Sequence, residues 1–199
     1  GQPDELLTKY KMKKVNIIIP TVPGNEALLQ RCIDCITENS VEEWKDEGYN
    51  IIPVWNSFKG VEEPINLGFQ RSIWEGTDVI VICDDFEIEE EGWIRKLQDY
   101  AYSDAKIGAV TGSRLFRQKK VGNFEYNVAG FNPIYIKCSV LKRIGGMDEN
   151  FCVFFDEEDY CIRMKLAGYE VRNIDIKHNH PRAERTTSVV FNRDGLGER

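Results

Sequence analysis

An uninterrupted apolar segment that runs directly into two aspartates constrains the fold of this chain most. The segment covers residues 79–83 (VIVIC) and is followed by Asp84 and Asp85. An apolar run of this length indicates a strand buried on both faces, as in the centre of a parallel α/β sheet. Such sheets bind ligands outside the carboxyl ends of their strands, so the two aspartates are candidates for binding a metal ion or a sugar hydroxyl. The alternative is an acidic helix start, because four glutamates follow between residues 87 and 91.

The charge balance restricts the ligand class. The chain has 199 residues and a net charge of −7, which argues against nucleic-acid binding because that affinity depends on Lys and Arg neutralising phosphates. An anionic ligand would need a divalent cation to offset the like charge. No stretch approaches the roughly twenty apolar residues of a membrane span, and the N-terminus does not resemble a signal peptide. We therefore expect a soluble, cytoplasmic protein.

The cysteines indicate a reducing environment rather than a disulfide framework. They fall within apolar segments, which is typical of reduced core residues. Cys32 and Cys35 form one C-x-x-C pair, but no second Cys or Cys/His pair has the spacing of a zinc site. We interpret both as buried helix residues.

Strand-like and helix-like segments alternate along most of the chain. Strands are expected at residues 15–19, 49–55, 79–82, 107–111, 131–138 and 171–178, and helices after Asn25, Asn66, Trp93, Ser139 and Asp156. This alternation predicts an α/β fold, a three-layer α/β/α sandwich with a mainly parallel, Rossmann-like sheet. The expected organisation is a leader at 1–13, one domain at 14–182, and a tail, lid or linker to a further domain at 183–199.

Two further segments carry polar side chains to the predicted sheet edge. The helix after residue 155 begins with four acids (DEED), which also suit a helix dipole. In the last predicted strand, alternation places Ile176, His178 and His180 on one face. Each histidine has the alternative of a satisfied core residue. Carboxylates with imidazole suit Mg²⁺ or Mn²⁺, and a carboxylate beside such an ion can take a proton from an attacking hydroxyl.

These motifs together resemble glycosyltransferase family 2, inverting enzymes of the GT-A fold that use nucleotide sugars. The resemblance covers roughly residues 14–182 and rests on VNIIIPT, ICDDFEI, GGMDENF and FFDEEDYCIRMKLAGYEV. The last two blocks are similar to the Gly-Gly-Phe-Asp-Glu loop and the Glu-Asp-x-Asp-Leu-Cys-x-Arg helix of the family and are the most specific part.

The resemblance implies a role for each matching residue. It assigns Glu157 as the base with Asp156 as the competing choice, while Asp159 orients the acceptor or the helix. Asp85 would bind Mn²⁺ or Mg²⁺ with His178, or with His180 instead. The expected donor-binding residues are Thr21, Pro23, Asn56, Asn66, Gly68 and Asp84. This chain departs from the family at two positions. Many members have an Asp that reads uracil where this chain has Asn56. Many members also have the first acid of the Asp-x-Asp motif where this chain has Cys83.

The sequence therefore predicts a metal-dependent transferase of the hexosyl type. It would move a sugar from a nucleoside diphosphate, with UDP the expected carrier, to a hydroxyl on a glycan, lipid or protein, and a lipid acceptor would bring it to a membrane surface. One alternative is a non-catalytic nucleotide-sugar-binding domain of a larger protein. Another is a sugar-nucleotide pyrophosphorylase, which would need a basic, Gly-rich loop in place of TVPGNEA.

Overall fold

The computed structural model describes residues 12–56, 60–151 and 155–180. Most of the expected leader, all of the expected tail at 183–199, and Cys152 lie outside the described residues. The strands are β1 Val15–Thr21, β2 Tyr49–Trp55, β3 Asp78–Val81, β4 Glu87–Ile88, β5 Ile107–Thr111, β6 Phe116–Val121, β7 Phe124–Ala129, β8 Ile134–Ile136, β9 Glu170–Asn173 and β10 His178–Asn179. The helices are α1 Glu26–Glu38, α2 Val41–Lys45, α3 Glu62–Glu75, α4 Trp93–Tyr102, α5 Cys138–Ile144 and α6 Asp156–Leu166.

The main sheet has the strand order β2-β1-β3-β8-β5-β9. The pairs β1–β2, β1–β3 and β5–β9 are parallel, while β8 runs antiparallel to both β3 and β5. The predicted α/β sandwich with a mainly parallel sheet is thus confirmed. The edge position of β2 suits Pro53, which has no backbone N–H to donate.

Helices cover both faces of the sheet. Apolar side chains of α1 and α4, including Ile36 and Leu97, pack with Ile17 and Ile19 on one face. Side chains of α3, α5 and α6, including Phe69, pack with Ile18 on the other face. The alternation of β1 between the two cores explains why its side chains are all buried. Within the described residues, no helix has both the length and the apolar character to cross a bilayer.

The structure corrects several predicted boundaries. Pro20 does not end β1, which pairs with β2 as far as Thr21. Helix α3 begins at Glu62 rather than Asn66. Pro64 is compatible with this first turn, because the N–H that proline lacks would have had no helical partner there.

The second half of the chain differs more from the prediction. The strand predicted at 131–138 is reduced to the short β8, and Cys138 already begins α5. The polar stretch before β8 contains the β6–β7 hairpin, which was not predicted. The predicted strand at 171–178 divides into β9 in the main sheet and β10, which pairs with β4. Glu87 therefore lies in a strand and not in a helix start. The alternating burial holds nevertheless, since Ile176 and His178 are buried while Asp175 and Lys177 are exposed.

Candidate active site

Asp84 is held by the loop that follows β1. Its side chain is 3% exposed, and its Oδ2 accepts hydrogen bonds from Thr21 Oγ1 at 2.7 Å and from Asn25 Nδ2 at 3.0 Å. Asn25 is the N-cap residue of α1, as predicted, but its side chain makes no capping bond and binds Asp84 instead. The structure thus brings together Thr21 and Asp84, two predicted donor-binding residues, while Pro23 lies exposed in the same loop.

Phe86 and the two histidines meet because β4 pairs with β10, and His180 also reaches Asp85. His178 lies opposite Ile88 in this pair, and the ring of His178 stacks on Phe86 with centroids 4.3 Å apart. His180 Nε2 lies 3.2 Å from Asp85 Oδ1. The short strand pair was not visible in the sequence, because an element of two residues has no periodicity to detect.

The hydrogen bonds of the histidines distinguish their ring nitrogens. His178 Nδ1 donates to the carbonyl of Ile176 at 2.6 Å, which leaves Nε2 with its lone pair, as is typical of metal-binding histidines. Burial lowers the pKa of His178, which favours the neutral form that a metal ligand must have. His180 Nε2, in contrast, faces the Asp85 carboxylate and donates its hydrogen there.

These residues fit a metal that the substrate helps to hold. Across residues 12–56, 60–151 and 155–180, no three His, Cys, Asp or Glu side chains gather closely enough to hold a metal ion by themselves. Mg²⁺ in nucleotide sites is commonly bound by one or two carboxylates together with substrate phosphates and water. Asp85 with one histidine meets that requirement.

Residues 131 and 132 link the segment of the two aspartates to the start of α6 through two hydrogen bonds. The amide of Cys83 donates to Asn132 Oδ1 at 2.6 Å, and the amide of Phe131 donates to Glu157 Oε1 at 2.9 Å. Burial raises the pKa of Glu157 to about 7, although the Phe131 N–H opposes the increase. The predicted base therefore lies at the same edge as Asp84, with a pKa suited to accepting a proton near neutral pH.

Glu62 is a buried acid near this site that sequence reasoning missed. It is 2% exposed and its carboxyl lies against that of Asp156 of α6, which is 6% exposed. Burial raises the pKa of Glu62 to about 7 and also raises the pKa of Asp156. An acid at a helix N-terminus ordinarily indicates favourable interaction with the helix dipole, so the sequence carried no separate signal for this pair.

Asp159 makes contacts that hold α6, the helix that carries the predicted base Glu157. Its carboxylate pairs with Arg163 Nε at 2.8 Å, and Arg163 Nη1 donates to the carbonyls of Ile144 at 3.2 Å and Gly146 at 2.9 Å. Asp159 thereby holds the loop after α5 against α6. This position accords with orienting the helix, while any contact with an acceptor stays a prediction.

Asn66 and Gly68 also lie in packed surroundings. Asn66 accepts from the amide of Met147 at 2.7 Å and donates to its carbonyl at 2.9 Å, so it anchors the same loop. A Cβ on Gly68 would lie 2.4 Å from Ile18 Cδ1, so glycine is needed for α3 to approach β1. These contacts explain both residues by packing, and their donor-binding roles stay predictions.

Asn56 lies beside the loop of β1. Its amide donates to the carbonyl of Thr21 at 2.8 Å, and its side-chain Nδ2 donates to the carbonyl of Gly60. Its buried Oδ1 has no hydrogen-bond partner among the described residues. Buried acceptors are usually paired, so this atom marks a position where a ligand N–H would be favoured.

Solved structures provide the comparison for this arrangement. No protein-family model matches the chain, and no curated protein matches its sequence. The catalytic domain of Drosophila β1,4-galactosyltransferase 7, in complex with xylobiose, is similar with a TM-score of 0.61 and 17% identity over 88% of this chain and 74% of that chain.

Two microbial proteins are similar to a comparable degree. PcManGT, a mannosyltransferase from Pyrobaculum calidifontis in complex with GDP-Man and Mn²⁺, gives a TM-score of 0.58 and 13% identity over 82% of this chain and 55% of that chain. TarS of S. aureus gives 0.55 and 14%, over 92% of this chain and 39% of that chain. At such identities the likeness establishes the fold, and the described chain has the GT-A-like fold of these glycosyltransferases.

Proposed function

We propose that this protein is a metal-dependent inverting glycosyltransferase that moves a hexosyl group from a nucleoside diphosphate sugar to a hydroxyl acceptor. The observation that carries the proposal is the meeting of three segments at one sheet edge: the Asp84–Asp85 turn, the segment 178–180, and the start of α6. The GT-A-like fold supports a nucleotide-sugar donor, because PcManGT and a variant of the Drosophila enzyme were solved with GDP-Man or UDP-Gal and manganese.

The side chains divide the work of a single displacement. Glu157 takes the proton of the acceptor hydroxyl while that oxygen forms a bond to the anomeric carbon. The bond between the anomeric carbon and the diphosphate breaks in the same step, and its electron pair leaves with the nucleoside diphosphate. Attack opposite to the leaving group inverts the anomeric centre.

The donor is held by Asp84 and by residues that follow β1 and β2. Asp84, fixed by Thr21 and Asn25, faces the ribose or the sugar hydroxyls, and Asn56 Oδ1, which has no partner among the described residues, accepts from the base. Uracil can supply the base N–H that this acceptor requires, as can guanine, so UDP is the expected carrier on the family resemblance. Asp85 with His178 or His180 would hold Mn²⁺ or Mg²⁺, which when bound neutralises the charge of the diphosphate.

A binding assay and a transfer assay together test this proposal. Thermal unfolding is recorded with a panel of UDP- and GDP-sugars, with and without Mn²⁺, and a ligand at a hundred times its Kd should add about 2.7 kcal/mol to stability. Asp85→Ala should abolish the Mn²⁺-dependent part of this gain. Unchanged donor binding in the presence of a chelator would remove the metal from the mechanism.

Transfer itself is measured as nucleoside diphosphate release and product formation. Glu157→Gln should lower kcat by about 10²- to 10⁴-fold, the usual contribution of a general base. Glu158→Gln is the matched control, because this neighbouring acid binds Lys119 and Tyr126 instead of facing the turn. Donor binding without transfer or slow donor hydrolysis would identify a binding domain instead.

A further inference from the structure

Glu62 is a buried acid to which the proposed reaction assigns no role. It is the first residue of α3, it is 2% exposed, and its Oε1 has no hydrogen-bond partner among the described residues. An ionised carboxylate with an unpaired buried oxygen would lose much of its solvation energy. The surroundings therefore favour the neutral acid, in accord with a pKa that burial raises to about 7.

The groups that face Glu62 decide where the proton lies. They are Asp156, the first residue of α6, and Glu149 from the loop after α5. Both are acids, so both disfavour a charge on Glu62. Two neighbouring buried carboxyls favour sharing one proton, and the proton belongs on Glu62, because Asp156 opens α6 beside backbone N–H groups that favour its carboxylate, whereas Glu62 has an unpaired buried oxygen.

We propose that Glu62 is a positioning residue whose protonated carboxyl donates a hydrogen bond to Asp156, anchors the first turn of α6 on α3, and thereby leaves the next residue, Glu157, to act as the base. This inference rests on the proposed function and extends it. It also separates the two adjacent acids, because Asp156 is engaged by Glu62 while Glu157 is held by the Phe131 amide.

The first experiment tests whether Glu62 is protonated by measuring thermal stability against pH rather than activity. The melting temperatures of the wild type and Glu62→Gln are compared from pH 4.5 to pH 8. Between about 4.5 and about 7 the folded wild type binds more protons at Glu62 than the unfolded chain does, so its stability falls as pH rises. Glutamine does not titrate and still donates from Nε2. The melting temperature of Glu62→Gln should therefore rise relative to the wild type across this range, and a constant difference would overturn the proposal.

The second experiment separates positioning from general destabilisation. Glu62→Ala should lower kcat by about tenfold or more with the donor KM unchanged, since a hydrogen bond to a charged group is lost. Glu62→Gln should keep kcat within about threefold of the wild type. Glu43→Gln is the matched control, because Glu43 is likewise a buried glutamate, 1% exposed with an unpartnered Oε2, but lies in α2; it should leave kcat unchanged.

The outcomes distinguish this inference from the proposed function. Equal kcat values for Glu62→Ala and the wild type would overturn the positioning role. If Glu62→Ala does not fold, a low kcat in Glu62→Gln would overturn it as well. A wild type that shows the expected pH dependence yet transfers no sugar would refute the proposed function while supporting the Glu62–Asp156 hydrogen bond.

Discussion

Replacing Glu157 with glutamine should make the protein more stable at high pH while it lowers kcat by about 10²- to 10⁴-fold. Burial raises the pKa of this carboxyl from 4.5 to about 7. As pH rises through this interval, the wild type loses up to about 3 kcal/mol of stability, at 1.36 kcal/mol per pH unit. The side chain is only partly buried, so this value is an upper limit. Glutamine does not ionise and keeps an oxygen that accepts from the Phe131 amide.

The assay is urea unfolding of both proteins at pH 4.5, 6 and 8. The free energy of unfolding of Glu157→Gln should match that of the wild type at pH 4.5 and exceed it increasingly towards pH 8. Glu158→Gln should instead be less stable than the wild type by a nearly constant amount at pH 6 and pH 8, because hydrogen bonding to Lys119 lowers the pKa of Glu158 and its ionised form stabilises the fold at both values. A Glu157→Gln protein less stable than the wild type at pH 8 would refute this reasoning.

Three other predictions concern the site and its framework. The wild-type kcat/KM should rise with pH through about 7, because Glu157 must be ionised to accept a proton, and a profile flat from pH 5 to 8 would exclude it as the base. Gly68→Ala should lower the free energy of unfolding by about 1–3 kcal/mol, because the new Cβ overlaps Ile18, and unchanged urea unfolding would contradict the close packing. Arg163→Met should cost about 1.5–3 kcal/mol by freeing Asp159 and two loop carbonyls, with Lys165→Met as the exposed control.

The predicted elements were most accurate where the hydrophobic pattern was strong. The bounds of β2 and β5 match the prediction. The pattern was weak in β6, which has no buried side chain and is mostly exposed, and the sequence did not reveal the β6–β7 hairpin. Local periodicity reports burial, so elements with little burial escape detection.

The residues of the candidate site were likewise predicted only in part. Motif resemblance selected Asp84, Asp85 and Glu157, and the structure places them at one sheet edge through contacts with Asn25, Asn132, Phe131 and His180. Resemblance named His180 but not Asn25, Asn132 or the Phe131 amide as connecting groups, because each of these bonds joins residues that are distant in sequence.

The sequence by itself determined the α/β layering, since apolar runs of strand length must be buried on both faces between amphipathic helices. It also determined which acids end the central strand. Only the tertiary structure decided what those acids contact. The β4–β10 pair brings His180 to Asp85, and α3 brings Glu62 to Asp156. The protonation state of a carboxyl depends on its burial and on its neighbours in space, and neither can be read from the spacing of residues along the chain.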